Sequence, residues 1–219
     1  MPNKETALKA ITDQGLLPLF FYEDAQVSLE IIKTLYDAGI RTLEYTNRGP
    51  AALENFRYLK SELASYSDLH LGIGTIKTVQ QAEDFLKAGA DYIVAPIVDP
   101  AVGNRVHEAG LLWIPGCFTP TEIHVAQTAQ AGLIKIFPAN IVGPAFVSSI
   151  KELFPGQLFM PTGGVEMDEQ NIKTWFKAGV CAVGMGSKLI SKEVLANRQY
   201  DQLRTQTQEA LRLVKASQS

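Results

Sequence analysis

The alternation of apolar and polar positions along the chain predicts a repeating unit of helix and strand. Five times a segment with helical spacing of its apolar residues ends in Ala-Gly, and a short apolar run follows. The glycines of these copies are Gly39, Gly89, Gly110, Gly132 and Gly179. A glycine just past a helix end adopts the left-handed C-cap conformation at little cost, so we expect each of them to end a helix.

The apolar runs have the features of parallel strands that are buried on both faces. They are short and rich in β-branched residues. We predict eight strands, at residues 16–21, 42–46, 69–73, 92–96, 112–116, 133–137, 158–161 and 180–184. Helical patterns separate them, one more opens the chain and another closes it.

Eight alternating units predict the α/β class and one closed (β/α)8 TIM barrel with an extra N-terminal helix. An open, doubly wound sheet is the structural rival. The glycine-rich segments near Gly74, Gly163 and Gly186 do not match GxGxxG, which weakens that rival. Since no linker or low-complexity segment interrupts the pattern, we predict a single domain spanning 1–219.

Composition narrows the classes of function. Of the 219 residues, 46% are hydrophobic and 20% are charged, and the net charge of −3 predicts neither a nucleic-acid nor a membrane surface. Cys117 and Cys181 form no CxxC pattern, so we expect neither a disulfide nor a zinc site. The polar start is unlike a signal peptide, and a reducing cytoplasm is the expected compartment.

One predicted strand contains a lysine between two isoleucines, in "AGLIKIFPAN". Because side chains alternate along a strand, Lys135 shares a face with Phe137, opposite the flanking isoleucines. In "TLEYTNR" the same alternation puts Glu44, Thr46 and Arg48 on one side. We expect both polar faces to point into the barrel, where active sites lie at the C-terminal ends of the strands.

A lysine held in a poorly solvated barrel has a lowered pKa, and its neutral amine can form a Schiff base with a ketone. A carboxylate such as Glu44 can then move protons. The alternative is a buried ion pair with a purely structural role, because such pairs also shift pKa values. Residue spacing alone leaves both interpretations open.

Two glycine turns are candidates for binding phosphate. "MPTGGV" ends the seventh predicted strand and "GMGSKL" ends the eighth, where barrels often bind phosphate through backbone N–H groups. Gly163, Gly164 and Gly186 permit close approach of the backbone, and Ser187 adds a hydroxyl. Ordinary tight turns are the alternative.

Weaker candidates lie at other strand ends. Thr75 follows the third strand and can donate a hydrogen bond to a carboxylate, Pro96 shapes the end of the fourth, and Phe137 is either pocket wall or core. The three histidines, His70, His107 and His124, fall away from the predicted mouth, so we expect structural roles for them.

Together these motifs resemble one family. "LEYTNR", "GIGT", "IPGC", "IKIFPA", "PTGGV" and "GMGS" occur in the order and spacing of the 2-keto-3-deoxy-6-phosphogluconate / 2-keto-4-hydroxyglutarate (KDPG/KHG) aldolases. These are class I enzymes of the (β/α)8 type, and the resemblance covers about residues 17–189. It implies reversible cleavage of a keto-deoxy sugar acid phosphate to pyruvate and an aldehyde, in a homotrimer that needs no metal or organic cofactor.

The resemblance also implies a role for each candidate. Lys135 is the Schiff-base lysine and Glu44 the general acid/base. Those that bind or line the substrate are Arg48, Thr46, Thr75, Pro96 and Phe137 around the pyruvyl unit, and Thr162, Gly163, Gly164, Gly186 and Ser187 around the phosphate.

Substrate choice stays open at this point. The "NIVGP" and "GMGS" segments are also similar to 2-keto-3-deoxy-6-phosphogalactonate aldolases, whereas Arg48 favours the phosphogluconate branch. Two other hypotheses are another phosphate-binding barrel enzyme, such as a metal-dependent sugar-phosphate epimerase or a thiazole-phosphate-type synthase, and a non-catalytic barrel that binds sugar-acid phosphates. The absence of histidine at the predicted strand ends counts against the epimerase.

Overall fold

The protein is an α/β fold in which strands and helices alternate; this computed structural model describes residues 3–218. The strands are β1 Leu16–Phe20, β2 Thr42–Thr46, β3 His70–Gly74, β4 Tyr92–Val94, β5 Leu112–Ile114, β6 Gly116–Cys117, β7 Ile134–Ile136, β8 Phe159–Pro161 and β9 Val183–Met185. The helices are α1 Lys4–Gln14, α2 Ala25–Asp37, α3 Ala52–Glu62, α4 Val79–Lys87, α5 Pro100–Glu108, α6 Pro120–Thr128, α7 Ala139–Ile150, α8 Glu169–Ala178, α9 Lys192–Asn197 and α10 Tyr200–Ser217.

All paired strands run parallel, in two sheets. The first is six-stranded, in the order β5-β4-β3-β2-β1-β9, and curls into a half-barrel. The second is three-stranded, in the order β6-β7-β8. An isolated parallel bridge joins Thr162, just after β8, to Gly184 in β9. Only Pro115 separates β5 from β6 along the chain.

Two apolar cores lie on opposite faces of the strands. The larger, the outer core, lies between strands and helices and includes Tyr45, Ile134 and Ile136. The smaller, the inner core, contains inward side chains from several strands, among them Leu17 and Leu133. Neighbouring positions on one strand thus alternate between the cores, which confirms the register expected for the strand that carries the lysine.

Helix α1 covers the N-terminal ends of the strands. Its buried residues, Ala7 and Ile11, belong to the smaller core together with Leu133. The backbone N–H of Lys4 donates to the carbonyl of Gly110, which ties the start of the helix to the loop before β5. The predicted extra N-terminal helix is therefore confirmed, and it closes the end of the strands opposite to the candidate site.

One predicted helix cap is wrong. Gly39, Gly89, Gly110 and Gly179 adopt positive φ angles after their helices, but Gly132 does not. Helix α6 ends at Thr128, four residues before Gly132. The left-handed position after this helix is therefore taken by Gln130, with a φ of 59°.

The predicted fifth strand, residues 112–116, is two strands in the structure. The break falls at Pro115, which has no N–H to donate to a neighbouring strand. No helix among residues 3–218 is both long and apolar enough to cross a membrane.

Candidate active site

Strands β7 and β2 bring Lys135 and Glu44 together inside the fold. Nζ of the lysine lies 3.9 Å from Oε2 of the glutamate, and their side chains are only 6% and 1% exposed. The two residues come from distant parts of the chain, and each is flanked along its strand by side chains of the outer core. The pair is thus enclosed by the strands rather than presented at the surface.

Burial shifts both groups towards their neutral forms. It lowers the pKa of Lys135, while the nearby Glu44 charge opposes this shift and the Arg48 charge adds to it. Burial likewise raises the pKa of Glu44, against the charges of Lys135 and Arg48. A pair shifted in this way supplies an uncharged amine and a carboxyl group that can hold a proton.

The carboxyl group of Glu44 has no hydrogen-bond partner among residues 3–218, and neither do the buried hydroxyls of Thr46 and Thr162. Buried polar atoms in proteins are normally paired, and unpaired ones concentrate at functional sites. These three residues therefore supply polar atoms that a bound molecule could engage.

A cavity of about 340 Å³ lies at the C-terminal ends of β1, β7, β8 and β9. Seven of the predicted site residues line it: Arg48, Phe137, Thr162, Gly163, Gly164, Gly186 and Ser187. Phe137 also connects it to the buried pair, because the Phe137 ring centroid lies 5.1 Å from Nζ of Lys135. The cavity and the lysine thus form one site.

The glycine turn after β8 is tightly packed and left-handed. Gly163 and Gly164 have φ angles of 84° and 78°, where other residues are strained. A Cβ on Gly164 would lie 2.7 Å from Cα of Asn140, closer than real Cβ contacts. Within the described residues, the N–H groups of this turn donate to no protein acceptor, so they are available to a ligand.

The turn after β9 faces the same cavity. The N–H groups of Leu189 and Ile190 both donate to the carbonyl of Gly186, which closes the turn and leaves Ser187 exposed at its tip. Next to it, Nζ of Lys188 lies 2.9 Å from a carboxylate oxygen of Glu166, in the segment that follows the first glycine turn. This ion pair links the two turns.

Besides the buried pair Lys135 and Glu44, three predicted site residues do not line the cavity. Thr46 is buried at the end of β2, and Thr75 and Pro96 are half-buried after β3 and β4. Thr75 has a φ of 65°, a rare conformation for a β-branched residue. Such strain persists where the surrounding structure imposes it, which is common at functional sites.

Several cavity residues were not predicted from the sequence. Leu19 and Phe21 come from the end of β1, and Ile190, Lys192 and Leu195 come from the segment around α9. Because β1 lies beside β9 in the sheet, the end of β1 borders the cavity, and Leu19 and Phe21 form part of its wall. No periodicity in the sequence marks α9, because it has only six residues.

The chain matches a family model described as "Aldolase: KDPG and KHG aldolase" over residues 8–206. The chain belongs to the KDPG and KHG aldolase family. This confirms the resemblance drawn from the motifs, and it makes the protein a KDPG/KHG-type aldolase, a class I lyase.

Individual members of the family are similar over most of their length. The 2-dehydro-3-deoxy-phosphogluconate aldolase of Treponema pallidum is 29% identical over 211 residues, which cover 95% of this chain and 98% of the relative. A probable 2-dehydro-3-deoxy-6-phosphogalactonate aldolase of Rhizobium meliloti is 31% identical over 191 residues, covering 86% and 84%.

A solved structure agrees with these relatives. The 4-hydroxy-2-oxoglutarate aldolase/2-deydro-3-deoxyphosphogluconate aldolase from TTHB1 has 29% identity and a TM-score of 0.81, covering 95% of this chain and 98% of the other. The likeness extends to the whole arrangement of strands and helices, so the site of this KDPG/KHG-type aldolase lies in the fold that its family uses.

Other reactive side chains in this aldolase are poorly suited to catalysis. Burial raises the pKa of the Cys117 thiol to about 12, and the Glu122 charge adds to the effect, so the thiol stays protonated. Among residues 3–218, no group of three or more His, Cys, Asp or Glu side chains is placed to hold a metal ion.

Proposed function

We propose that this KDPG/KHG-type aldolase cleaves 2-keto-3-deoxy-6-phosphogluconate to pyruvate and glyceraldehyde 3-phosphate through a Schiff base on Lys135. The observation that carries the proposal is the buried amine 3.9 Å from the carboxyl group of Glu44, beneath a cavity lined by Arg48 and two glycine turns. Cleavage of 4-hydroxy-2-oxoglutarate to pyruvate and glyoxylate is a further reaction of the same site.

The steps follow from the neutral amine. Nζ of Lys135 attacks the C2 ketone, and a water molecule leaves as the iminium forms. A base takes the proton of the C4 hydroxyl, the C3–C4 bond breaks, and its electrons move to the iminium, which gives the aldehyde and an enamine of pyruvate. Protonation at C3 and hydrolysis release pyruvate. Glu44 performs the proton transfers, directly or through one water.

The remaining candidates divide between the two ends of the substrate. Arg48, Thr46 and Thr75 bind or enclose the carboxylate of the pyruvyl unit, with Pro96 and Phe137 as walls. Thr162, Gly163, Gly164, Gly186 and Ser187 bind the phosphate. Support for the second group comes from the free N–H groups of the first turn and from the exposed hydroxyl of Ser187.

We further propose that the two sheets form one closed (β/α)8 barrel. The Thr162–Gly184 bridge and the N–H of Cys181, which donates to the Phe159 carbonyl at 3.0 Å, support a junction between β8 and β9. The junction between β5 and β6 is supported by their continuity along the chain, where only Pro115 separates them. Residues 1–219 would then be a single domain, of which residues 1, 2 and 219 lie outside the described part of the chain.

The environment of the enzyme is a separate proposal. It acts in the cytoplasm as a homotrimer, without metal or organic cofactor. Light scattering of the purified protein tests the assembly, and we expect three times the mass of one chain. Activity that survives treatment with EDTA is expected of Schiff-base chemistry, whereas its loss would favour a metal-dependent barrel enzyme.

A direct activity assay tests the proposed reaction. Purified enzyme should release pyruvate from 2-keto-3-deoxy-6-phosphogluconate, measured with a coupled dehydrogenase, and the K135A variant should not. K173A, which changes an exposed lysine on α8 outside the cavity lining, is the matched control and should retain the chemistry. Equal pyruvate release by K135A and the unaltered protein would overturn the role of Lys135.

The phosphogalactonate epimer is the second candidate substrate, favoured by the 31% identity to a probable aldolase of that specificity. The two substrates differ only in configuration at C4, so they compete for the same site. Comparing kcat/KM for the two pure epimers decides between them. A higher value for the phosphogalactonate epimer would transfer the assignment to that substrate and leave the lysine chemistry intact.

A further inference from the structure

The third strand carries two glycines on its inward face, next to Glu44. Gly72 and Gly74 alternate along β3 with Leu71 and Ile73, whose side chains belong to the outer core. Neither glycine has a positive φ angle, so the backbone conformation at these positions does not require glycine. Their role is therefore to leave space.

The space beside each glycine is filled by one buried side chain. A Cβ on Gly74 would overlap Oε1 and Cδ of Glu44 and would lie 2.8 Å from its Cγ. A Cβ on Gly72 would instead overlap the ring of Tyr92, whose hydroxyl donates to the Leu43 carbonyl at 2.6 Å. The two glycines thus accommodate different side chains, of which only one is in the candidate active site.

Packing, rather than hydrogen bonding, defines where the Glu44 carboxyl group lies. Its oxygens have no hydrogen-bond partner among the described residues, and the Nζ atom of Lys135 at 3.9 Å is beyond hydrogen-bond length. A flexible glutamate side chain without such partners is held only by the surfaces around it. The backbone of Gly74 provides one of these surfaces, because a Cβ on Gly74 would overlap the carboxyl group.

We infer that Gly74 is a positioning residue for the aldol reaction: the space left by its missing side chain holds the Glu44 carboxyl group beside Lys135. The inference rests on the proposed Schiff-base function. A methyl group at this position forces the carboxyl group away from the amine. The lysine still captures pyruvate, but the proton transfers that follow lose their acid/base.

A double-mutant cycle on turnover tests the inference. G74A should lower kcat by about 100-fold while imine formation with pyruvate persists. E44D, whose carboxyl group is one methylene shorter, should impair the unaltered enzyme but raise kcat of G74A by about tenfold, because the shorter side chain relieves the overlap. Additive losses in the double variant would overturn the inference, since a general structural role predicts no such rescue.

A second cycle measures stability and covers the case in which G74A folds poorly. E44A removes the overlapping atoms, so E44A/G74A should be soluble and should unfold at a denaturant concentration close to that of E44A. G72A is the matched control on the same strand face, and E44A should not rescue it, because its overlap is with Tyr92. If E44A fails to rescue G74A, or rescues both variants equally, the inference is wrong.

The outcomes separate this inference from the proposed function. Absence of an imine in the unaltered protein, with rescue of G74A stability by E44A, would contradict the Schiff-base function but support the packing of Gly74 against Glu44. Imine formation in the unaltered protein, with additive effects in both double-mutant cycles, would support the proposed function and contradict the role of Gly74 as a positioning residue.

Discussion

At the scale of single residues, the proposed chemistry depends on a pair of ionisable groups whose pKa values burial shifts towards the neutral forms. Two opposite charges 4 Å apart attract each other by about 4 kcal/mol at an effective dielectric constant of 20. Desolvation opposes this by several kcal/mol for each ion. The directions at Lys135 and Glu44 agree with desolvation as the larger effect, since the pKa of the amine is lowered and that of the carboxyl raised.

A pH dependence follows for imine formation. Only the neutral amine attacks a ketone, so the rate of imine formation should rise with pH and level off at the pKa of Lys135, below the value of about 10.4 for an ordinary lysine. Replacing Glu44 by Gln removes a charge that raises this pKa, so the midpoint should move lower still. Stopped-flow trapping over a pH series measures both midpoints.

The control for this series is E62Q, which removes an exposed carboxylate from α3. Its midpoint should equal that of the unaltered enzyme. A midpoint at or above 10.4 in the unaltered enzyme, or an upward shift in E44Q, would contradict the electrostatic account of the pair.

The proposed phosphate site can also be tested at a single residue. G164A adds a Cβ within 2.7 Å of Asn140 at a φ of 78°, so it should distort the glycine turn. We expect kcat/KM for the phosphorylated substrate to fall at least tenfold, while the value for 4-hydroxy-2-oxoglutarate, which has no phosphate, changes little. Steady-state kinetics on both substrates measure the difference. Equal losses on both would remove the turn from phosphate binding.

At the scale of elements, the end of β3 combines a strained residue with a proposed contact. Thr75 has a φ of 65°, and a left-handed conformation costs a residue with a Cβ about 1–2 kcal/mol. T75A removes the hydroxyl and the γ-methyl group but keeps the Cβ and its strain, whereas T75G removes the Cβ as well and with it the strain. We therefore expect T75G to be more stable than T75A by about 1 kcal/mol in urea unfolding.

Activity separates strain from contact in the same pair of variants. If the Thr75 hydroxyl binds the substrate carboxylate, both variants should show a raised KM of similar size. A KM that rises in T75G alone would assign the effect to backbone geometry and not to the hydroxyl.

The elements show where sequence reasoning succeeds and where it fails. Alternation along two strands predicted that Lys135 and Glu44 face the same interior, because the polar side chains of each strand share one face and apolar side chains occupy the other. The Ala-Gly pattern failed at Gly132, because α6 already ends at Thr128 and Gln130 takes the left-handed conformation. The cavity wall from α9 was missed because six residues carry too little periodicity.

At the scale of the whole molecule, the candidate site and a helix that stabilises the fold lie at opposite ends of the strands. The cavity opens at the C-terminal ends of the strands, whereas α1 covers their N-terminal ends with Ala7 and Ile11. I11A leaves a cavity in the inner core and should lower the free energy of unfolding by about 2–5 kcal/mol. At temperatures where the variant is folded, its kcat should remain near that of the unaltered enzyme.

Its control is D13A, on the exposed part of the same helix, where loss of an exposed ion pair with Lys9 should change stability by less than about 1 kcal/mol. Thermal and urea unfolding measure both variants. Equal destabilisation by the two substitutions would contradict the view that α1 stabilises the fold through its buried face.

The whole molecule also sets the limit of the sequence analysis. The repeated helix and strand units predicted the fold class and the extra N-terminal helix. They also predicted eight strands, where the described residues form nine. The predicted closed barrel already implied that the first strand lies beside the last, as β1 lies beside β9. Leu19 and Phe21 were still not assigned to the site, because nothing in the sequence distinguishes an apolar side chain of the cavity wall from one of the core.

The most direct measurement is reductive trapping of the enzyme with pyruvate and borohydride, followed by peptide mass spectrometry. The account predicts one lactyl adduct, on Lys135, and none when borohydride is added without pyruvate. No adduct, or an adduct on a surface lysine such as Lys188 with Lys135 unmodified, would contradict the claim that the buried amine captures the keto acid.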